Sequence, residues 1–343
     1  MLLAFGKQTL PIELADDQRV THHRGPAALA DLHAATLAAL EQPFGFPPLR
    51  QALTPDDRIT LVIGDDLEAI EPVLQGVRET LHSVGIAAEA ITTLRRSQHD
   101  PNDRAGLAYL ATTQGGRRIY LARELVEADQ VIVISARRFS HPGAESALFP
   151  AFSDSATRAE TIPSEEAREV AWLLGLPFHV QLIDAAGGGY HSVLAGATEA
   201  AREAERQRNA AWQVRVPRRP DTVVVTTTPQ AILAALDNAA RIVQPQGRII
   251  LLLDGQPLLP EEFQALREAS DPQQLTHPDA SLRIWIHAVT HARVSLFSEM
   301  DANSAEELFA TALADAHQVQ RLVARSGDCL ILEDGHHSLA YVE

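Results

Sequence analysis

The chain has 343 residues, 45% hydrophobic and 22% charged, with 45 acidic side chains against 29 basic ones. This length exceeds the size at which one hydrophobic core keeps growing, so two domains are expected. The formal charge of −16 repels phosphate backbones and anionic lipids, so neither nucleic acid nor a membrane is an expected partner. With one cysteine, Cys329, and no signal-like or membrane-spanning apolar run, the sequence predicts a cytoplasmic protein.

The first half of the chain alternates predicted strands and helices. A strand pair is predicted within residues 2–14, and a buried strand over residues 59–63. An amphipathic helix over residues 70–84 follows, with Gly85 as its C-cap. The glycine triplet at residues 187–189 predicts a hairpin turn, because residues on both sides of it alternate in polarity.

The strongest site candidate follows an apolar run over residues 131–134, which has the composition of a buried strand. Arg137, Arg138 and His141 come directly after it, where ligands sit in an open α/β sheet. The two arginines suit bidentate binding of a carboxylate, and His141 suits a catalytic acid or base. A solvated loop is the alternative interpretation.

Acidic side chains follow the earlier predicted strand. Asp65 and Asp66 could bind a cation or orient a ligand hydroxyl, since carboxylates supply the oxygens that such sites need. The favoured alternative is that they complement the dipole of the next helix. No metal site is predicted: His287 and His291 share a helix face, but Ala288 replaces the glutamate of the metalloprotease pattern.

A connector rich in proline and arginine, residues 216–221, predicts a domain boundary, giving a domain over 1–215 and a smaller one over 216–343. In the second, a strand from residue 222, a helix over 231–242 and a strand over 249–253 predict a parallel pair with a right-handed crossover. Thr227, just after the first of these strands, is a further ligand-binding candidate.

Two features of the C-terminal region complete the second predicted domain. Ser304 and Glu307 fit a capping box for a helix over 305–324. A strand over 329–332 follows. The final residues, SLAYVE, could return to the first domain.

Taken in order, these segments resemble the nickel-dependent lactate racemase family. The resemblance rests on the order and spacing of landmarks along nearly the whole chain: FGKQTLPIEL, PFGFPPLRQAL, ITLVIGD, ADQVIVIS, LFPAF, LAGATEAAREA, VPRRPDTVVV, ALDNAARIVQPQGRIILL and HARVSLFSEMD. It implies two α/β domains, each with a mostly parallel central sheet flanked by helices, and a ligand cleft between them. Active members bind a nickel pincer nucleotide and use paired histidines as acid and base.

The chain departs from the family at the cofactor motifs. Asp65 keeps the aspartate of the family's D-x-T-R-P pattern, but Glu68 replaces its substrate-orienting arginine. His141 is the position that matches the catalytic histidine. The lysine that carries the pincer has no counterpart, because Lys7 is the only lysine in the chain. No histidine lies between His141 and His179, so the nickel-ligating histidine is absent as well.

The leading hypothesis is a non-catalytic or repurposed homolog without the covalent pincer site. It would bind a small anionic or nucleotide-like ligand through Asp65, Asp66, Arg137, Arg138 and Thr227, with no resident cofactor. A divergent racemase or epimerase of a 2-hydroxy acid is the first alternative, so whether the chain is an enzyme stays open. A structural or interaction protein with a vestigial cleft is the second, and homo-oligomerisation is also open.

Overall fold

The computed structural model describes residues 1–14, 18–65, 67–139, 145–160, 162–175, 177–275 and 278–343. The described chain divides into two compact units. The inserted unit is Ala27–Ala210, and the terminal unit combines Met1–Pro26 with Ala211–Glu343. The chain passes from the inserted unit back to the terminal unit between Ala210 and Ala211, near the predicted boundary after residue 215. The predicted first domain, 1–215, differs at its start, because the first 26 residues belong to the terminal unit.

The strands are numbered in chain order. They are β1 (Leu2–Phe5), β2 (Gln8–Pro11), β3 (Arg19–His23), β4 (Ile59–Ile63), β5 (Ile91–Arg95), β6 (Leu107–Thr112), β7 (Arg118–Ala122), β8 (Gln130–Ala136), β9 (Phe178–Asp184), β10 (Tyr190–Gly196), β11 (Gln213–Val216), β12 (Thr222–Thr226), β13 (Arg248–Leu252), β14 (Arg293–Phe297), β15 (Thr311–Ala312), β16 (Asp328–Leu332) and β17 (Leu339–Val342).

The helices are numbered in the same way. They are α1 (Leu32–Glu41), α2 (Leu49–Ala52), α3 (Glu71–Val84), α4 (Arg123–Val126), α5 (Ser155–Arg158), α6 (Ser164–Leu173), α7 (Thr198–Trp212), α8 (Ile232–Ile242), α9 (Phe263–Arg267), α10 (Ala280–His291), α11 (Ala302–Glu307) and α12 (Ala316–Ala324). None of the helices in the described part of the chain has the length and apolar character needed to cross a membrane.

The inserted unit is built on a five-stranded sheet with the order β10-β9-β8-β4-β5. The four strands from β9 to β5 run parallel, and β10 pairs with β9 in the antiparallel sense. Strand β4 is buried throughout and is apolar except for Thr60, as suits a central parallel strand covered on both faces. Because β5 and β8 flank β4 on opposite sides, the strand order reverses there, which creates a topological switch point.

Local sequence signals account for the elements around this sheet. Helix α3 ends at Gly85, whose φ of 97° is left-handed and whose N–H bonds the carbonyls of Leu81 and His82, so the predicted C-cap is confirmed. The predicted hairpin at the glycine triplet is also confirmed, since β9 and β10 pair across it. At the end of β10, a Cβ on Gly196 would come within 2.1 Å of the Phe44 carbonyl oxygen, so only glycine fits.

The terminal unit contains a six-stranded sheet with the order β15-β14-β13-β12-β16-β3, and every pairing in it is parallel. The predicted parallel pair is confirmed as β12 and β13. Strand β3, from the first 26 residues, lies at the edge beside β16. The last strand, β17, pairs with β11 inside this same unit.

The long helix predicted over residues 305–324 is wrong. Asp301 accepts hydrogen bonds from the backbone N–H groups of Asn303 and Ser304, so the cap lies earlier and α11 ends at Glu307. Phe309 then takes a left-handed φ of 59°, and β15 pairs with β14 before α12 begins. An aspartate cap competes with the serine of the capping box here, and a strand separates the two helices.

Candidate functional site

Arg138 lies at the carboxyl end of β8 and is engaged by an acid from the next strand. Its Nε and Nη2 donate to the Oδ2 and Oδ1 of Asp184, both at 2.8 Å, in the two-bond geometry that guanidinium and carboxylate favour. Asp184 is the last residue of β9, and its side chain is 8% exposed. The bidentate carboxylate predicted for Arg138 is therefore a residue of the chain itself.

Two further guanidinium groups lie beside this pair. Arg137, largely buried, donates through Nη2 to the Oε2 of Glu205 on α7 at 3.0 Å, and Glu205 is 49% exposed. Arg208, also on α7, donates through Nη1 to the Arg138 carbonyl at 3.1 Å. Its guanidinium carbon stands 3.9 Å from the centroid of the Phe139 ring. We call Arg137, Arg138 and Arg208 the arginine cluster.

Positive charge is concentrated in the arginine cluster. Burial, reinforced by the neighbouring charge of Arg137, lowers the pKa of Arg208 to about 10, and Glu205 opposes the shift. A lowered arginine pKa means that the surroundings disfavour one more positive charge. Among the described residues, the carboxylates seen beside these guanidinium groups are those of Asp184 and Glu205, and Glu205 is half exposed.

Asp65 follows β4 at the switch point and is used to fix a turn. Its Oδ2 accepts the backbone N–H of Ser97 at 2.9 Å, and its Oδ1 accepts the Ser97 hydroxyl at 2.7 Å. Asp65 thus ties the segment after β4 to the segment after β5. Asp66 and His141, the other candidates of this region, lie outside the described residues.

Thr227 lies in the terminal unit, directly after β12. Its hydroxyl is buried and lies 3.2 Å from Nδ1 of His336. His336 packs against His337 at 4.0 Å between ring centroids, and His337 packs against Trp212 at 5.2 Å. In the described part of the chain, no group of three or more histidine, cysteine or acidic side chains is arranged to hold a metal ion.

A buried polar pair on β9 was missed by the sequence analysis. His179 is 2% exposed and Gln181 is 1% exposed. Gln181 Nε2 donates to the Ser135 hydroxyl on β8 at 2.8 Å, whereas Gln181 Oε1 and His179 Nδ1 are buried with no hydrogen-bond partner in the described structure. The available signal was a histidine and a glutamine two residues apart in a strand that is otherwise apolar up to its last residue, Asp184, and this spacing places both on one face.

The burial of His179 predicts a specific pH dependence. Burial lowers its pKa from 6.5 to about 4, and nearby Glu145 opposes the shift. As the pH falls from 6.5 to 4, His179 becomes protonated in the unfolded chain but stays largely neutral in the folded chain. The free energy of unfolding therefore decreases. We expect wild type to lose on the order of 1–3 kcal/mol more than His179→Gln over this range.

Urea unfolding at several pH values checks this expectation. Carboxylates titrate in both proteins, so the difference between the two curves isolates the histidine. Parallel curves would show that His179 takes up its proton equally well in the folded chain.

No family model matches the chain, and no curated protein matches it by sequence. The structure of the lactate racemase apoprotein from Thermoanaerobacterium thermosaccharolyticum aligns over 99% of this chain and 99% of its own, with a TM-score of 0.74 and 13% identity. The chain has a lactate racemase-like fold. The resemblance predicted from the ordered landmarks is confirmed at this level.

A second solved structure, of a Thermotoga maritima protein, is similar to this chain to a lesser extent. It aligns over 94% of this chain and 100% of its own, with a TM-score of 0.59 and 12% identity. Identities of 12–13% establish similarity of fold, and they carry no site residue from one chain to the other.

Proposed function

We propose that this chain is a lactate racemase-like protein that has lost the covalent pincer site and binds a small anionic ligand beside the arginine cluster. The observation that carries the proposal is the gathering of three largely buried guanidinium groups at the carboxyl end of β8. That edge of an open parallel sheet is where ligands of α/β proteins bind. Oxygen anions are the ligands that guanidinium groups recognise.

The described residues do not fit the nickel pincer nucleotide. The only lysine, Lys7, lies in the turn between β1 and β2 in the terminal unit, where its backbone N–H donates to Asp254 Oδ2 at 2.8 Å. The inserted unit therefore offers no lysine for a covalent link. Guanidinium groups have no lone pair to give nickel, so the arginine cluster is a poor metal site. These points support loss of the cofactor.

Ligand-dependent stabilisation tests the proposal. Purified protein is titrated with L-lactate, L-malate, phosphate and AMP while its thermal unfolding is followed. An anion that binds only the folded chain raises the unfolding free energy by about 2.7 kcal/mol at a hundred times its Kd. Arg208→Gln is expected to weaken binding about tenfold or more, because a charged hydrogen-bond donor contributes roughly 1.5–3 kcal/mol.

Arg206→Gln provides the matched control for that substitution. Arg206 lies two residues earlier on α7, is exposed and pairs with Glu203. Its loss should leave anion binding unchanged. If none of the four anions stabilises the wild-type protein, the proposed function is rejected.

A divergent racemase or epimerase is the second candidate, and the similarity of fold over 99% of both chains favours it. Elemental analysis and intact-mass spectrometry, on protein produced together with the pincer-building enzymes, separate the two. An unmodified, nickel-free chain is the outcome expected from the proposal. Stoichiometric nickel or a covalent adduct would reject the proposed loss of the cofactor and support a divergent racemase or epimerase.

A further inference from the structure

We propose that His179 and Gln181 form a buried subsite for a small oxyanion that retains a proton, with hydrogen phosphate as the simplest example. This inference rests on the anion-binding function proposed above and narrows its ligand class. It starts from two polar side chains, each at least nine-tenths buried, that have one polar atom apiece without a partner in the described structure.

The strand register places both side chains on one face of the sheet. His179 lies beside Val133 of β8, and Gln181 lies beside Ser135. The residues of β9 that alternate with them, Phe178, Val180 and Leu182, belong to the apolar core on the opposite face. Val133 packs instead with an apolar cluster that includes Leu148 and Phe152. On this face the two side chains lie next to apolar residues, and little of either is exposed.

An unsatisfied polar group in such a place needs an explanation. A buried donor or acceptor without a partner is destabilising, and native proteins hold few of them. Apolar residues would fill the same strand positions without that penalty, as Val180 and Leu182 do on the other face. Two such groups, two residues apart on one strand, mark a position at which a guest molecule, either a buried water or a small ligand, would complete their hydrogen bonds.

The chemistry of the two atoms selects the guest. Gln181 Nε2 is committed to Ser135, so its Oε1 is an acceptor that requires a donor. The low pKa of His179 keeps its ring neutral, so Nδ1 either donates to the guest or accepts from it. Arg137 follows Ser135 by two residues along the chain and supplies positive charge at the strand end. A guest that is anionic and also donates a hydrogen bond satisfies these requirements.

Phosphate and sulfate distinguish this subsite from simple charge attraction. Both are tetrahedral oxyanions of similar size, but near neutral pH only phosphate carries a proton that it can donate to Gln181. Isothermal titration of the full chain at pH 7 is expected to show phosphate binding about tenfold or more tightly than sulfate, because a buried acceptor left unpaired disfavours the wrong ligand. Gln181→Met should reduce phosphate affinity to that of sulfate. Gln51→Met, on the exposed surface of α2, should change neither the phosphate affinity nor the sulfate affinity.

Histidine ring nitrogens give a second readout that needs no variant in β9. In protein labelled with ¹⁵N-histidine, phosphate should shift the His179 ring resonances and sulfate should not. Equal affinity for the two anions, or an unmoved His179, would overturn the subsite while leaving anion binding at the arginine cluster intact. If neither anion binds, the subsite is also rejected, and lactate, malate and AMP then decide the proposed function separately.

Discussion

Asp184→Asn is expected to lower the free energy of unfolding by about 3 kcal/mol or more. The substitution keeps the shape of the side chain and removes the negative charge that balances Arg138 at two hydrogen bonds of 2.8 Å. Breaking one partner of a buried ion pair leaves an uncompensated charge, which costs roughly 3–5 kcal/mol. Arg208, whose pKa burial already lowers, would feel the added positive charge as well. Urea unfolding at pH 7 measures the change.

Glu205→Gln is the control, because it removes the other carboxylate of the cluster from a half-exposed position. Because Glu205 is half exposed while Arg137 is largely buried, this variant should lose less stability than Asp184→Asn, but more than the roughly 0–1 kcal/mol of a pair exposed on both sides. An equal loss in both variants would contradict the assignment of Asp184 as the buried counter-charge. Added phosphate should restore more stability to Asp184→Asn than to wild type, since the ligand supplies the missing negative charge.

Trp285→Ala is expected to destabilise the terminal unit by about 4 kcal/mol. Trp285 lies on α10, is fully buried, and packs edge-to-face on Phe263 at 5.5 Å between ring centroids. Its Nε1 donates to the Leu308 carbonyl at 2.8 Å, so its removal leaves both a cavity and an unpaired buried carbonyl. Truncating a buried tryptophan to alanine costs about 3–5 kcal/mol.

Trp172→Ala is the matched control, since Trp172 lies on α6 and is 64% exposed. An exposed aromatic contributes little to the core, so the change should stay within about 0.5 kcal/mol. Circular dichroism during urea unfolding reports both variants. A small effect at Trp285 would show that the surrounding side chains collapse into the space it leaves.

The central strands and several helices of both units could be predicted because local pattern and tertiary role agree in them. The run at 131–134 is continuously apolar and the run at 59–63 is apolar except for Thr60, and both are buried central strands in the structure. Helix 70–84 carries its own stop signal in Gly85. The break between α11 and α12 could not be predicted, because the aspartate cap at Asp301 and the pairing of β15 with β14 override the local serine signal.

The candidate site was only half visible from the sequence. Arg137 and Arg138 stand out because they follow an apolar strand, but their partners come from far along the chain. Asp184 is 46 residues from Arg138, and Arg208 is 70 residues away. On α7, Arg208 is one of many charges in a helix that has the pattern of a solvated surface, so no local signal marks it as buried. Its role arises from packing and not from sequence spacing.

The interleaving of the two units has a consequence for how the chain assembles. Strand β3 emerges early in synthesis, yet its neighbour β16 lies some 300 residues later, with the whole inserted unit between them. Closing so long a connection in an unstructured chain is entropically costly. If Ala27–Ala210 folds first, the segment that connects β3 to the later strands becomes compact. The two parts of the terminal unit, Met1–Pro26 and Ala211–Glu343, can then pair at a smaller entropic cost. The six-stranded sheet would then be the last part of the protein to form, because β16 becomes available for pairing only after the ribosome has released the C-terminal part of the chain.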